Sequence, residues 1–375
     1  RLDSAVRGSD VWCRLGGDEF ALVASELADR GAAARVAERV LRVLVEPFEV
    51  AGHVVPVSAS LGVAVGSEAE VSPESLLRDA TLAMRSAKQG GRARYELFDP
   101  VLDRAARDRR TLEEDLRLAI GREELLLHYQ PQVCLATGAL VGVEALVRWQ
   151  HPRHGLLEPA RFVPLAEESG LIVPIGEWVL QQACAALHRL QGVAPGQPLL
   201  LSVNISGRQV QEGAGLVEQV ASAIESSDLE PSNLVLEITE TVLMADTSAA
   251  TATLRALEEL GVGLAIDDFG TGYSSLSYLH HLPVSMLKLD KSFVTALESG
   301  ANVAVVRAIA SLAAELGLKL IAEGIETPAQ LQRLRGLGYA LGQGHHFARP
   351  MPAETLLAEV AGTLSQPGRL AAGVA

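Results

Sequence analysis

Between Gly121 and Pro350 the chain alternates short, almost continuously apolar runs with amphipathic stretches, and nothing else in it restricts the fold so tightly. "LLLHYQPQV" (Leu125 to Val133) and "LVGVEALVRW" (Leu140 to Trp149) read as a hairpin pair. Then come "LLLSVNIS" (Leu199 to Ser206), "LVLEITE" (Leu234 to Glu240), "GLAIDDFG", "MLKLDKS" (Met286 to Ser292), "LKLIAEGIE" (Leu318 to Glu326) and "YALGQGHHF", each separated from the next by a helical pattern. Apolar strands that alternate with helices imply a parallel sheet covered on both faces. About eight of them in about 250 residues is the size of a (β/α)8 barrel of the TIM type. An open doubly wound sheet would need a Gly-rich dinucleotide turn after its first strand, and the sequence has none there.

On a barrel, the polar residues at strand ends become the candidates. Glu144, Asn204, Glu237, Asp267 with Asp268, Lys288, Glu323 and Gln343 fall at or near the C-terminal ends of seven different strands, the end at which such barrels carry active sites. Any one of them alone reads as a helix N-cap or a solvated residue. Together at one mouth, the acids would repel one another without a compensating cation. Oxygen ligands with no clustered His or Cys suit Mg2+ or Mn2+. His280, His281, His345 and His346 form two adjacent pairs; neighbours point to different faces, so these read as surface or packing residues.

With 375 residues the chain is long for one core, and two domains are expected. A formal charge of −14 argues against a surface for polymeric nucleic acid. No apolar stretch approaches the roughly 18 residues that cross a bilayer, so no membrane contact is expected of this chain. Cys13, Cys134 and Cys184 form no CxxC pair, which disfavours a zinc cage or a disulfide framework and fits a reducing cytoplasm.

The blocks "VEALVRWQHPRHGLLEPARFVPLAEESGLI", "SVNIS", "LEITE", "IDDFGTGYSSLSYL", "LKLDKSF", "AEGIET" and "GQGHHFARP" stand in an order that resembles the EAL domain family of bacterial cyclic di-GMP phosphodiesterases. The resemblance spans about residues 111–362. It implies a barrel whose first strand runs antiparallel and an activity that hydrolyses cyclic di-GMP to linear pGpG with two metal ions per site, Mg2+ or Mn2+. Carried over by position, Glu144, Asn204, Glu237 and Asp267 would ligate one metal, and Asp267 would bridge to a second that Asp268 also holds. Lys288 would orient the nucleophilic water, and Glu323 would hold water or metal and act as a general base. Gln343 would contact the cluster or the scissile phosphate, and Leu146 and Arg148 would touch substrate. Glu240 would anchor the loop "FGTGYSS", through which the family couples dimerisation to metal occupancy; the plainer reading of Glu240 is an exposed helix-cap acid. A homodimer through the barrel is therefore expected.

The front of the chain resembles a second family. "VRGSDVWCRLGGDEF", "VPVSASLGVAV" and "LLRDATLAMRSAKQGGRARYELFD" follow the order of the C-terminal half of the GGDEF domain, the diguanylate cyclases. Gly16, Gly17, Asp18, Glu19 and Phe20 match its signature, and Arg7 and Asp10 match its RxxD inhibitory site. That family's first metal-binding Asp and its phosphate loop precede the matching part. A partial α/β domain without cyclase activity of its own is expected over residues 1–99, with exposed apolar surface, in a parent that could be bifunctional. Residues 100–122 read as a charged linker helix, 111–362 as the EAL domain and 363–375 as a tail. The rival readings are a cyclic di-GMP receptor that does not cut and an unrelated acid-rich barrel of the enolate-forming kind.

Overall fold

The computed structural model describes residues 2–50, 53–55, 57–66, 72–89, 93–194, 196, 198–240, 242, 248–270, 282–300 and 302–364. The chain divides into two compact units, residues 1–111 and 112–375.

In the first unit, β1 (Val11–Gly16) and β2 (Glu19–Val23) form an antiparallel hairpin. Gly17, at φ +56°, takes the left-handed turn at its tip that a side chain would disfavour. Among the described residues this hairpin pairs with no other strand, and Val11, Leu15, Phe20 and Val23 are all more than half exposed. Asp18 and Glu19 lie at the tip, and Asp10 accepts a hydrogen bond from the Arg7 backbone N–H at 2.8 Å. A helix at Arg30–Val45 is capped by Asp29, whose carboxylate accepts from the Ala32 N–H at 2.6 Å. Strands β3 (Phe48–Val50) and β4 (His53–Val55) pair antiparallel. Strands β5 (Leu61–Val63) and β6 (Tyr95–Leu97) are parallel, joined by a connection that includes the helix Pro73–Gln89. That helix lies so close to β5 that a Cβ on Gly62 would stand 1.9 Å from the Ala80 carbonyl oxygen.

The second unit is the barrel. Its strands are β7 (Leu125–Cys134), β8 (Leu140–His151), β10 (Leu200–Asn204), β11 (Leu234–Thr239), β12 (Gly263–Phe269), β13 (Met286–Leu289), β14 (Lys319–Ala322) and β15 (Leu341–Gly342). They run in sequence order from β8 to β15 with parallel pairing, and β7 closes the ring antiparallel to both β8 and β15. The antiparallel first strand expected from the resemblance is thus present. Two short strands lie outside the ring: β9 (Gly155–Leu157) extends β8 as a hairpin, and β16 (Met351–Pro352) pairs with β7.

The alternation of the strands decides which side chains reach the lumen. On β8, Ala145 and Trp149 turn outward into the helical layer, where the Trp149 ring meets Phe162 edge-on at 5.7 Å between centroids. Glu144, Leu146 and Arg148 take the opposite face. The amphipathic helix Ile172–Val193 covers the outside with Ile175, Val179, Leu180, Ala183, Cys184 and Leu187, the 3.6-residue spacing expected of one buried stripe.

A helix at Pro100–Ala119 leads into β7, and its last turns are fixed by a polar clasp. Asp115 lies 3.3 Å from His151 Nε2 and also binds Arg153, while His151 Nδ1 accepts the backbone N–H groups of Arg153 and His154 at 3.1 and 3.3 Å. Because Nδ1 is an acceptor, the ring proton sits on Nε2 and points at Asp115.

Candidate active site at the mouth of the barrel

The site is built around one lysine. Lys288, on β13, is fully buried, and its Nζ lies 2.6 Å from Glu237 Oε2, 2.6 Å from Glu323 Oε1, 3.1 Å from Asp267 Oδ1 and 3.5 Å from Glu144 Oε1. The four acids come from or just beyond four other strands, β11, β14, β12 and β8. Amides complete the shell. Asn204 Nδ2 donates to Glu144 Oε1 at 2.8 Å, and Gln343 Nε2 donates to Glu144 Oε2 at 2.5 Å and to Glu323 Oε1 at 3.3 Å.

Beneath this shell lies a second amide. Gln132, on β7 and almost fully buried, donates from Nε2 to Gln343 Oε1 at 3.1 Å and to Ser202 Oγ at 3.2 Å. The opposite assignment of the Gln343 amide would set its oxygen 2.5 Å from a carboxylate oxygen of Glu144. Gln132 therefore holds the Gln343 carbonyl and turns its NH2 group to the acids. Sequence reasoning did not single out Gln132; the signal was its place two residues after Gln130 on the face that alternation sends inward.

Asp267 and Asp268 are consecutive, and consecutive strand residues point to opposite faces. Here β12 carries an irregularity: Ile266 pairs with Leu287 and Phe269 with Leu289, so three steps on β12 match two on β13. One extra residue in a strand is a bulge, which re-aims side chains. Asp268 takes the strain, with φ at +53°, and its backbone N–H donates to Asp267 Oδ1 at 3.0 Å. As a result Asp267, Asp268 and Glu323 bring carboxylate oxygens within 4.8 Å of one another.

One ammonium against four carboxylates leaves an excess of negative charge in a dry place. Burial opposes the Lys288 charge, but Glu144, Glu237, Glu323 and Asp267 outweigh it and hold its pKa well above the usual range. Burial also raises Glu237 and Glu323 despite Lys288, and raises Asp268 with Asp267 beside it. Glu144 goes the other way: burial resists its ionisation, and Lys288, Gln343 and Asn204 overcome that. A cluster whose acids are pushed toward protonation is one that a cation relieves. Glu237 Oε1 has no hydrogen-bond partner among the described residues, so a buried carboxylate oxygen is left for a ligand. The donors are hard oxygens, which fit a hard divalent ion.

The remaining expected residues fall around this centre. Arg148 is buried, with Nη2 3.1 Å from Glu158 Oε2, and Leu146 precedes it on the same face of β8. Glu144 is mid-strand, because β8 continues to His151 past its neighbour β10, which ends at Asn204. Glu240 is buried and accepts the Gly270 N–H at 3.2 Å, so it ties down the start of the segment after β12. Most of that segment, "FGTGYSS", and His280 and His281 lie outside the described residues. His345 is exposed and His346 packs on Phe347, so neither joins the acids.

Residues 113–350 match the model of the EAL domain, and residues 1–94 match that of the diguanylate cyclase, GGDEF domain. Among curated proteins the chain is 45% identical to the bifunctional diguanylate cyclase/cyclic di-GMP phosphodiesterase MucR of Pseudomonas aeruginosa, over 96% of this chain and 52% of MucR. It is 40% identical to the cyclic di-GMP phosphodiesterase NbdA of the same organism, over 95% of this chain and 45% of NbdA. The chain thus spans about half the length of the curated relatives it matches. Among solved structures it is similar to the MucR phosphodiesterase in complex with c-di-GMP, with a TM-score of 0.63 and 48% identity, over 66% of this chain and 99% of that one.

Proposed function

The chain belongs to the EAL domain family, and we propose that its barrel is a cyclic di-GMP phosphodiesterase that opens one phosphodiester of the cyclic dinucleotide to give linear pGpG. The observation that carries this reading is the Lys288 ammonium enclosed by four carboxylates from separate strands, with more negative charge than one lysine can balance. The relatives' names and the dinucleotide-bound MucR structure support the choice of substrate.

Two Mg2+ or Mn2+ ions held at the mouth would supply Lewis-acid charge for in-line displacement at phosphorus. Glu144, Asn204, Glu237 and Asp267 would hold the first. Asn204 spends its NH2 on Glu144, so what it offers a cation is Oδ1. Asp267 with Asp268 would hold the second, on the side where Glu323 is also within reach. Glu323, whose Oε1 lies 2.6 Å from Lys288 Nζ at the mouth, would take a proton from the attacking water, which Lys288 would orient. Gln343 would hold its NH2 on the acids and the scissile group. Arg148 would grip a phosphate by charge-assisted hydrogen bonds, and Leu146 would contact a base. Glu240 would fix the entry to the loop that follows Asp268.

The working form we propose is a homodimer through the barrel, in the cytoplasm. Three free cysteines support a reducing compartment, and among the described residues no helix is long and apolar enough to cross a membrane. In the test, the purified chain is incubated with cyclic di-GMP and Mg2+ or Mn2+, and the nucleotides are separated by chromatography. Metal-dependent pGpG is the expected product. Binding without cleavage would make the barrel a receptor, and no binding would end the reading.

A further inference from the structure

Arg148 has company that the phosphodiester reading does not use. Its guanidinium is fixed by the barrel itself, since the side chain is 7% exposed and Nη1 donates to the Val147 carbonyl at 2.9 Å. Its Nη2 faces the carboxylate of Glu158 at 3.1 Å. Glu158 stands at the N-cap of the helix Pro159–Ser169, where a short oxygen side chain would normally accept a backbone N–H. Glu158 makes no such bond. Its carboxylate reaches across to Arg148 and stays 65% exposed, so it is free to swing away.

A carboxylate and a phosphate occupy a guanidinium through the same donors in the same plane. The Glu158 carboxylate takes one of the N–H donors of Nη2, and a phosphate that uses that donor must displace it. His128, opposite Leu146 on β7, offers little positive charge to ease this, because burial and then Arg148 hold its pKa below the ordinary value. Burial and the Val147 carbonyl also hold Arg148, so its placement does not rest on Glu158 alone.

We propose that Glu158 is a built-in rival anion, displaced from Arg148 when the dinucleotide binds, which weakens the hold of this mouth on its substrate. The proposal rests on the reading that Arg148 meets a substrate phosphate. It predicts that the residue sets KM, through Arg148 and not through the chemical step.

The experiment is a double-mutant cycle in the steady state, with the full chain, Mn2+ and cyclic di-GMP at fixed ionic strength. Glu158→Gln keeps the shape and removes the charge, and we expect KM to fall about three- to fivefold, the range for a partly screened ion pair, with the effect in KM rather than kcat. Arg148→Gln should raise KM, and adding Glu158→Gln to it should change nothing further. An unchanged KM in Glu158→Gln makes the ion pair irrelevant, and a raised KM makes Glu158 the holder of Arg148; either overturns the proposal. So does a gain that persists without Arg148. If the folded wild-type chain neither binds nor cuts the dinucleotide, the phosphodiesterase reading has failed and this inference falls with it, whereas an active wild type with an indifferent Glu158→Gln sinks this inference alone.

Discussion

Lys288 Nζ and Glu237 Oε2 lie 2.6 Å apart, and both side chains are buried. A buried carboxylate that loses its only cation costs about 3 kcal/mol or more. In chelator-treated protein at pH 8, Lys288→Met should therefore lower Tm by several degrees. Mn2+ should then recover more of Tm in the variant than in the wild type, because it supplies the missing positive charge. Matching melts of the two proteins in chelator would show that the ammonium is not what restrains the acids.

Asp267→Asn removes one negative charge from the crowd and one oxygen ligand. The metal-free variant should melt at the same temperature as the wild type or higher. Formation of pGpG should fall by more than about 100-fold, beyond the loss typical of a residue that only supports a ligand. Glu144→Ala should also abolish turnover. Both readings can be taken from one preparation by calorimetry and chromatography, and retained turnover would contradict the ligand assignment.

The pH dependence of the metal-free protein has a definite sign. Burial pushes the Glu323 carboxyl from 4.5 up to about 8, so the folded state holds a proton that the unfolded chain releases near pH 4.5. The stability this gives is complete below that pH and is lost as pH rises toward and through 8. Thermal melts in chelator should decline over this window, and saturating Mn2+ should flatten the decline by making the deprotonated acids favourable. A chelator-treated protein that becomes more stable from pH 5.5 to 8 would reverse the sign.

Gln132→Leu frees the carbonyl of Gln343 and leaves the Ser202 hydroxyl short of a donor. The structural cost should be about 1 kcal/mol. The catalytic cost should be larger, about tenfold in kcat with little change in KM, because the NH2 group facing Glu144 and Glu323 is no longer fixed. Steady-state kinetics beside a urea melt separates the two. A loss confined to stability would make Gln132 a packing residue.

The barrel was legible from period and length: apolar runs of strand length separated by helical spacing leave few architectures, and the hairpin at Leu125–Trp149 already turned the first strand against the rest. Strand ends also named the acids. Three features were not legible. The bulge in β12 exists only in its pairing with β13, so the device that lets the consecutive Asp267 and Asp268 share one site is visible only in the register. The length of β8 beyond its parallel neighbour comes from its antiparallel partners β7 and β9, which local propensity does not report. The reach of Glu158 to Arg148 joins a helix N-cap to a strand residue, and no spacing rule connects them. In the first unit, glycine is a turn former, and Gly17 makes the tip of the β1–β2 hairpin.

Reversing one strand of the ring also changes where the polypeptide comes in. In an all-parallel barrel the first strand begins at the floor, far from the chemistry. Here Leu125 lies opposite Trp149, so the chain arrives at the rim, and the turns just before it are latched to the end of β8 by Asp115 and His151. A twist applied to that incoming helix would be felt first by the strand that bears Glu144, Leu146 and Arg148, with no need to travel through the core.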